Sequence, residues 1–216
     1  MKIKVVLAIV FFWSASGHVK AQQQFSEGNI VYSVTIEKEP GAASQTGEFR
    51  IILKDKQFSK ELSLSSGFNN RFLFNTEDNT IYSLRKVQGK KYAIQLNSED
   101  FKKKQHHCPS VKVEDVGTES KTVAGYTGQR ATALCPGTEP AELYYTKEWS
   151  MANTELFQNF GGFRYLPLIY DIRNDDGSTF HFVLKKIESK PVDNGAFRIP
   201  KDYKLLTNEE YNAITR

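Results

Sequence analysis

Beyond residue 21, the side chains best suited to metal binding or acid–base work are three histidines, two cysteines and the aspartates at 171, 175 and 176. His106, His107 and Cys108 stand in a row, but neighbours on an extended chain point in opposite directions, so they cannot easily share one ion. His181 falls between Phe180 and Phe182 on the less apolar side of a strand pattern, the position of an ordinary strand histidine. Asp171, Asp175 and Asp176 lack the alternate-residue ligand pattern of a calcium loop, and Asn174-Asp175-Asp176-Gly177 is turn chemistry. The sequence has no phosphate-binding glycine loop, G-x-S-x-G elbow, H-E-x-x-H helix or paired C-x-x-C. No catalytic residue, metal ligand set or cofactor is therefore expected, and the chain does not read as an enzyme. Lys102 to Lys104, with Lys90 and Lys91, read as a solvated loop.

Composition narrows the partners. Lys2, Lys4 and Lys20 lie within the first 21 residues, which leaves 26 basic against 25 acidic residues and a net charge near +1. Phosphate binding needs a concentrated surplus of Lys and Arg, so nucleic acid is excluded as the main partner. With 15 Phe, 10 Tyr and 2 Trp, disorder is excluded too.

Lys2 and Lys4 precede an apolar run over 5–13 and the triplet Val19-Lys20-Ala21, the order of a secretory signal peptide cut after Ala21. That run is about half the roughly twenty residues a membrane-spanning helix requires. No cysteine follows the cut, and no later stretch is apolar for long enough to span a bilayer. The expected organisation is a signal peptide over 1–21 and one domain over 22–216. The protein is expected to be exported, periplasmic or extracellular, not lipid-anchored, and monomeric.

Export bears on the cysteines. Strands over 110–117 and 129–134, with a turn-rich stretch between them, would make a hairpin about a midpoint near residue 121, placing Cys108 opposite Cys135. A disulfide is then geometrically reasonable and would stabilise the fold by roughly 3.5 kcal/mol on the chain-entropy estimate.

From Gly28 onward the hydrophobic period is two, the signature of strands with one buried face. Ile30, Tyr32, Val34 and Ile36 alternate with Val31, Ser33, Thr35 and Glu37. Further strands are expected over 57–64, 70–75, 80–87, 91–97, 143–148, 166–173 and 178–189. If Gln88-Gly89 is a two-residue hairpin loop, Val87 pairs with Lys90, Arg85 with Tyr92, Ser83 with Ile94 and Ile81 with Leu96. Helices are expected over 151–160, where Leu156, Phe157 and Phe160 share a face, and after Thr207, where Thr207 and Glu210 can form a capping box; 98–104 is a third candidate. The fold class is mainly β with some α: a large curled antiparallel sheet of nine to eleven strands, or incomplete barrel, with two or three helices over its concave face.

Such a sheet either packs a filled core or leaves a hollow for an apolar ligand. The wall of a hollow would come from Tyr32, Val34, Phe49, Ile51, Phe72, Phe74, Tyr92, Ile94 and Phe182, with Phe157 and Phe160 on the lid.

The segments 27–32 (EGNIVY), 119–126 (ESKTVAGY) and 197–204 (FRIPKDYK) resemble an uncharacterised family of exported Bacteroidota proteins related to the GLPGLI proteins. Leu166-Pro167-Leu168-Ile169 falls where the GLPGLI signature would sit, without its glycines. The resemblance implies a fold similar to the periplasmic lipoprotein carriers, an incomplete antiparallel barrel with helices in its mouth, and no enzyme activity. Three functional readings stay open: a carrier-like binder of a lipid or acyl chain, a module with a filled core that holds another envelope protein, and an enzyme of unrecognised class.

Overall fold

The computed structural model describes residues 22–38, 44–97, 99, 101, 111–136, 139–157, 160–174 and 176–215. The expected leader over 1–21 lies outside them, as do His106, His107, Cys108 and Asp175. The strands are β1 (Gln23–Phe25), β2 (Glu27–Glu37), β3 (Gln45–Lys54), β4 (Gln57–Leu64), β5 (Asn69–Asn75), β6 (Thr80–Val87) and β7 (Lys90–Leu96). They continue as β8 (Lys112–Val123), β9 (Tyr126–Leu134), β10 (Ala141–Met151), β11 (Tyr165–Arg173), β12 (Thr179–Glu188) and β13 (Lys204–Thr207). A 3-10 turn covers Asn194–Phe197, and one α-helix, α1, covers Asn208–Thr215.

All thirteen strands join one open sheet in the order β13-β7-β6-β5-β4-β3-β2-β12-β11-β10-β9-β8, with β1 paired to β10 off this path. Two meanders of local hairpins, β2 to β7 and β8 to β12, are joined where β12 pairs antiparallel with β2. The sheet is wider than the expected nine to eleven strands. Its additions are β1 and β13, of three and four residues, each held by a parallel pairing. Segments so short carry no readable alternation.

The β6–β7 register agrees with the sequence reading, Val87 opposite Lys90 and Ile81 opposite Leu96. Gln88 and Gly89 both take positive φ, at 49° and 78°, the geometry a two-residue hairpin loop needs. The β8–β9 hairpin differs from expectation. It turns at Ala124 and Gly125, with φ of 50° and 83°, instead of near residue 121, and the stretch expected to be turn-rich is paired strand. Lys112 stands opposite Leu134, three residues from the alignment that set Cys108 across from Cys135. An irregularity between Asp115 and Ser120, where Gly117 has a φ of 65°, absorbs part of the difference.

Where two or three helices were expected, one complete helix is found among the described residues. In α1 the capping box forms: Glu210 N–H donates to Thr207 Oγ1 at 3.2 Å, and Thr207 N–H donates to Glu210 Oε2 at 2.8 Å. In the 98–104 segment, Glu99 and Phe101 are helical, with Phe101 N–H on the Asn97 carbonyl at 2.9 Å; the remaining residues lie outside the described ones. The helix expected over 151–160 is absent among the described residues. Met151 still belongs to β10, and the Asn153 side chain accepts from Glu155 N–H at 2.8 Å, which favours a turn over a helix start. The chain then runs through successive turns, Phe160 N–H to Phe157 O and Phe163 N–H to Phe160 O. Leu156, Phe157 and Phe160 are nevertheless buried, so the shared apolar face is real and is presented by a loop.

The main core lies on one side of the sheet, here the inner face. Its centre is Tyr32, fully buried on β2, in edge-on contact with Phe157, Tyr170 and Phe182. Its hydroxyl donates to the Pro167 carbonyl at 2.9 Å, beside the register shift at Tyr144 and Tyr145 in the β10–β11 ladder. On the outer face Leu73, Leu84 and Ala93 form a second cluster, covered by Ile199 and Tyr203 from the segment after β12. Lys54 Nζ donates to Val192 O, and Val192 N–H donates to Glu27, which pins that segment down. This explains why β5 to β7 carry apolar residues on both faces.

Gly28 is required where β2 meets β12. Its φ is 139°, and an added Cβ would lie 2.0 Å from the Glu188 carbonyl oxygen.

Removing the Tyr32 hydroxyl should leave the buried Pro167 carbonyl without its donor. Tyr32→Phe is expected to cost about 1–3 kcal/mol, a fall of about 2–4 °C in melting temperature per kcal/mol for a domain of this size. An unchanged melting curve would show that the bond does not hold β2 to β11.

Candidate functional site

The inner face is not filled everywhere. Between β3–β5 on one side and β11–β12 on the other, with Leu156, Phe157 and Phe160 across it, lies a cavity of about 330 Å³. Phe49, Leu62, Phe72, Phe74, Phe101, Leu156, Phe157, Phe160, Tyr170, Ile172, Phe180 and Phe182 line it, together with Lys60, Asn70, Arg173 and Asn174. Half-exposed Phe68 and exposed Arg173 and Asn174 stand on its open side.

Period-two strands build this wall. Phe58 and Phe74, partners on β4 and β5, stack at 4.4 Å, and Phe72 and Phe74 meet Phe101 edge-on at 5.2 and 5.5 Å. Across the cavity Tyr170 and Phe182, partners on β11 and β12, stack at 4.6 Å with an interplanar angle of 6°. Phe160 packs edge-on to Tyr170 at 5.4 Å. Rings locked by cross-strand pairs cannot readily collapse into the space they surround.

Of the eleven wall and lid residues read from the sequence, Phe49, Phe72, Phe74, Phe157, Phe160 and Phe182 line this cavity. Tyr32, Val34 and Ile51 do not: they are wholly buried core beneath it. Ile94 lines a second, more polar cavity of about 590 Å³ between β5–β7 and α1, separated from the first by the shared residues Phe72 and Phe101. Tyr92 packs against Tyr211 of α1 at 5.9 Å, away from the first cavity.

Sequence reasoning passed over Lys60. It occupies an inward position of β4 between Phe58 and Leu62, is only 7% exposed, and lines the aromatic cavity. Its Nζ lies 5.3 and 5.2 Å from the ring centres of Phe58 and Phe74. Among the described residues it has no hydrogen-bond or ion-pair partner; Glu155 acts on it at longer range. Burial pulls its pKa down to about 7, with Glu155 opposing. The available signal was parity, a lysine where the alternation demands an apolar residue. Tyr170 is a second polar group in the wall, and burial pushes its hydroxyl well above the usual tyrosine range, so it stays protonated.

The histidine and acids weighed as chemistry lie elsewhere. His181 Nδ1 is 2.8 Å from Asp171 Oδ1, and its Nε2 is 3.5 Å from Glu37 Oε2. Burial pulls the imidazole down, but the two carboxylates outweigh it and hold it above its ordinary value. Among the described residues no group of three or more His, Cys, Asp or Glu side chains could hold a metal ion. Cys135 follows β9 directly, while its expected partner Cys108 lies outside the described residues.

Among solved structures the chain is similar to an uncharacterised conserved protein from Thermus thermophilus, at 12% identity and a TM-score of 0.52, over 84% of this chain and 91% of that one. That likeness shows a shared fold. More distant likenesses include a LolA-superfamily protein from Nitrosomonas europaea, with 6% identity, a TM-score of 0.41, and coverage of 82% and 92%. The MucA/MucB complex of Pseudomonas aeruginosa matches at 12% identity and a TM-score of 0.42, over 83% of this chain and 58% of that one. No protein-family model matches the chain, so membership of the Bacteroidota family expected from the sequence is not shown, and no curated protein matches it.

Two measurements follow from the charged groups. The Lys60 pKa is about 7 in the folded chain, so unfolding takes up a proton between that pH and about 10.4, and stability rises with pH across this window. Lys60→Met should therefore stabilise the fold at and below about pH 7, by up to about 5 kcal/mol, and the gain should vanish near pH 10. A pH-independent difference in melting temperature would contradict a buried ammonium. For His181 the folded pKa is raised, so its stabilisation is present below about pH 6.5 and lost as pH rises through the folded value. His181→Gln should lower the melting temperature near pH 5.5 and leave it little changed near pH 8.5.

Proposed function

We propose that the protein is exported to the cell envelope and binds the apolar part of a lipid or acyl chain in the aromatic cavity, as a carrier or binder without catalysis. The observation that supports this reading is the unfilled volume of about 330 Å³, lined by rings from four strands (β3, β5, β11 and β12) and by Phe68, Phe101, Phe157 and Phe160 from the segments between strands. It falls at the lower end of the roughly 300–1,000 Å³ typical of ligand pockets. At about 30 Å³ per water-sized group, it accommodates a chain of about ten carbons. Burying ten methylenes is worth roughly 8 kcal/mol, enough to offset an association cost of several kcal/mol. Oxidation of Cys108 and Cys135 to a disulfide in that compartment belongs to the same reading.

The rival reading, a partner protein docked on a sheet edge, has β8 as its best surface, because this twelve-residue strand ends the sheet and is exposed along most of its length. Its side chains include Lys112, Glu114, Asp115, Glu119 and Lys121, charges of the kind that discourage strand addition. The cavity is the better supported site.

Titration with a fluorescent fatty acid tests the proposal, with saturable uptake as the expected result. Phe68→Ser, at the half-exposed rim, should weaken uptake about threefold or more while shifting stability by no more than about 0.5 kcal/mol. Wild-type protein that takes up no acyl probe saturably would end the carrier reading.

A further inference from the structure

The cavity wall is apolar except for a few polar groups, and one of them is placed at a cost. Lys60 is 7% exposed among Phe58, Phe72 and Phe74, and no hydrogen bond or ion pair holds its Nζ among the described residues. A methionine or leucine would fill the same position without desolvating an amine. Buried ionisable groups of this kind are retained where something else supplies the counter-charge.

We propose that the cavity takes a single-chain carboxylate amphiphile, such as an unesterified fatty acid, with its carboxylate paired to Lys60 Nζ and its chain against the aromatic wall. This rests on the carrier reading and narrows it. The volume of about 330 Å³ suits one short chain. The charge balance suits a monoanion: one ammonium, partly offset by Glu155 at longer range, with exposed Arg173 on the open side as the other cation of the cavity lining. Burial lowers the amine's pKa to about 7, which lets it stay in an apolar wall with no hydrogen-bond or ion-pair partner among the described residues, and an arriving carboxylate favours the charged form. Tyr170, protonated in the same wall, is a neutral donor that an apolar chain would leave unused. An ammonium attracts an anion as a compact point charge, without the planar fork by which arginine selects geometry.

The test compares decanoate with decan-1-ol, equal in chain length and different in charge, by calorimetric titration of the wild-type protein and of Lys60→Met near pH 7. Wild type should bind decanoate about tenfold or more tighter than the alcohol, the range of a charge-assisted hydrogen bond. Lys60→Met should lose that preference and keep its affinity for the alcohol within about twofold, with a thermal melt confirming that it is folded. Alcohol binding without any preference for the acid, or a preference that survives in Lys60→Met, overturns the carboxylate subsite and leaves the carrier reading standing. Tighter binding of decyl phosphate than of decanoate overturns the choice of carboxylate. If neither the acid nor the alcohol binds, the carrier reading itself fails.

Discussion

A sheet of thirteen strands presents an inner face far wider than the eight residues of α1 can cover, and α1 sits at one end, against β7 and β13. Among the described residues the rest of that face is closed by Phe101, by the turns that carry Leu156, Phe157 and Phe160, and by side chains that reach across it. Tyr32 is the post on which this closure rests. Its ring meets Tyr170 of β11, Phe182 of β12 and Phe157, and its hydroxyl spans to the Pro167 carbonyl. An aliphatic residue there could fill space but could not satisfy a buried acceptor. Beside this packed centre lies the cavity, with Phe72 and Phe74 on one side and Tyr170 and Phe182 on the other.

Much of this architecture was legible in the sequence because strands of seven residues or more announce themselves by parity. The limits of β4 and β6 and the β6–β7 register follow from alternation and a two-residue turn alone. What escaped was of three kinds, the first being the second half of β8, which is exposed on both faces and so carries no alternation. β1 and β13 exist only because a distant strand offers them a free ladder. The 151–160 stretch has helical spacing of its apolar residues, yet β10 extends through Met151 and Asn153 diverts the next turn. Local propensity yielded there to the reach of a neighbouring strand.

The candidate site was legible in its aromatic half and hidden in its polar one. Phe49, Phe72, Phe74 and Phe182 follow from counting alternate positions, and Phe157 and Phe160 bury as expected despite the altered local structure. Counting could not separate the positions that face the cavity from those one layer deeper, so Tyr32, Val34 and Ile51 were placed with them although they are solid core. Lys60 was missed because a single lysine in a strand reads as solvent-facing until its parity is checked against Phe58 and Leu62.

The joining of the two meanders also governs how the chain can fold. Within β2 to β7 and within β8 to β12, nearly every pairing is between neighbours in sequence and closes through a short turn. The β2–β12 ladder instead brings together residues such as Ser33 and Val183, 150 positions apart, and the entropy of closing so long a loop is spent before any of its contacts form. Each meander can therefore begin to assemble as a local unit, whereas the aromatic centre around Tyr32 forms only when β12 docks beside β2. Until then that edge of β2 stands unpaired, together with the rings that later line the cavity. For a chain delivered N-terminus first, that exposed strand waits until almost the whole sequence has followed it.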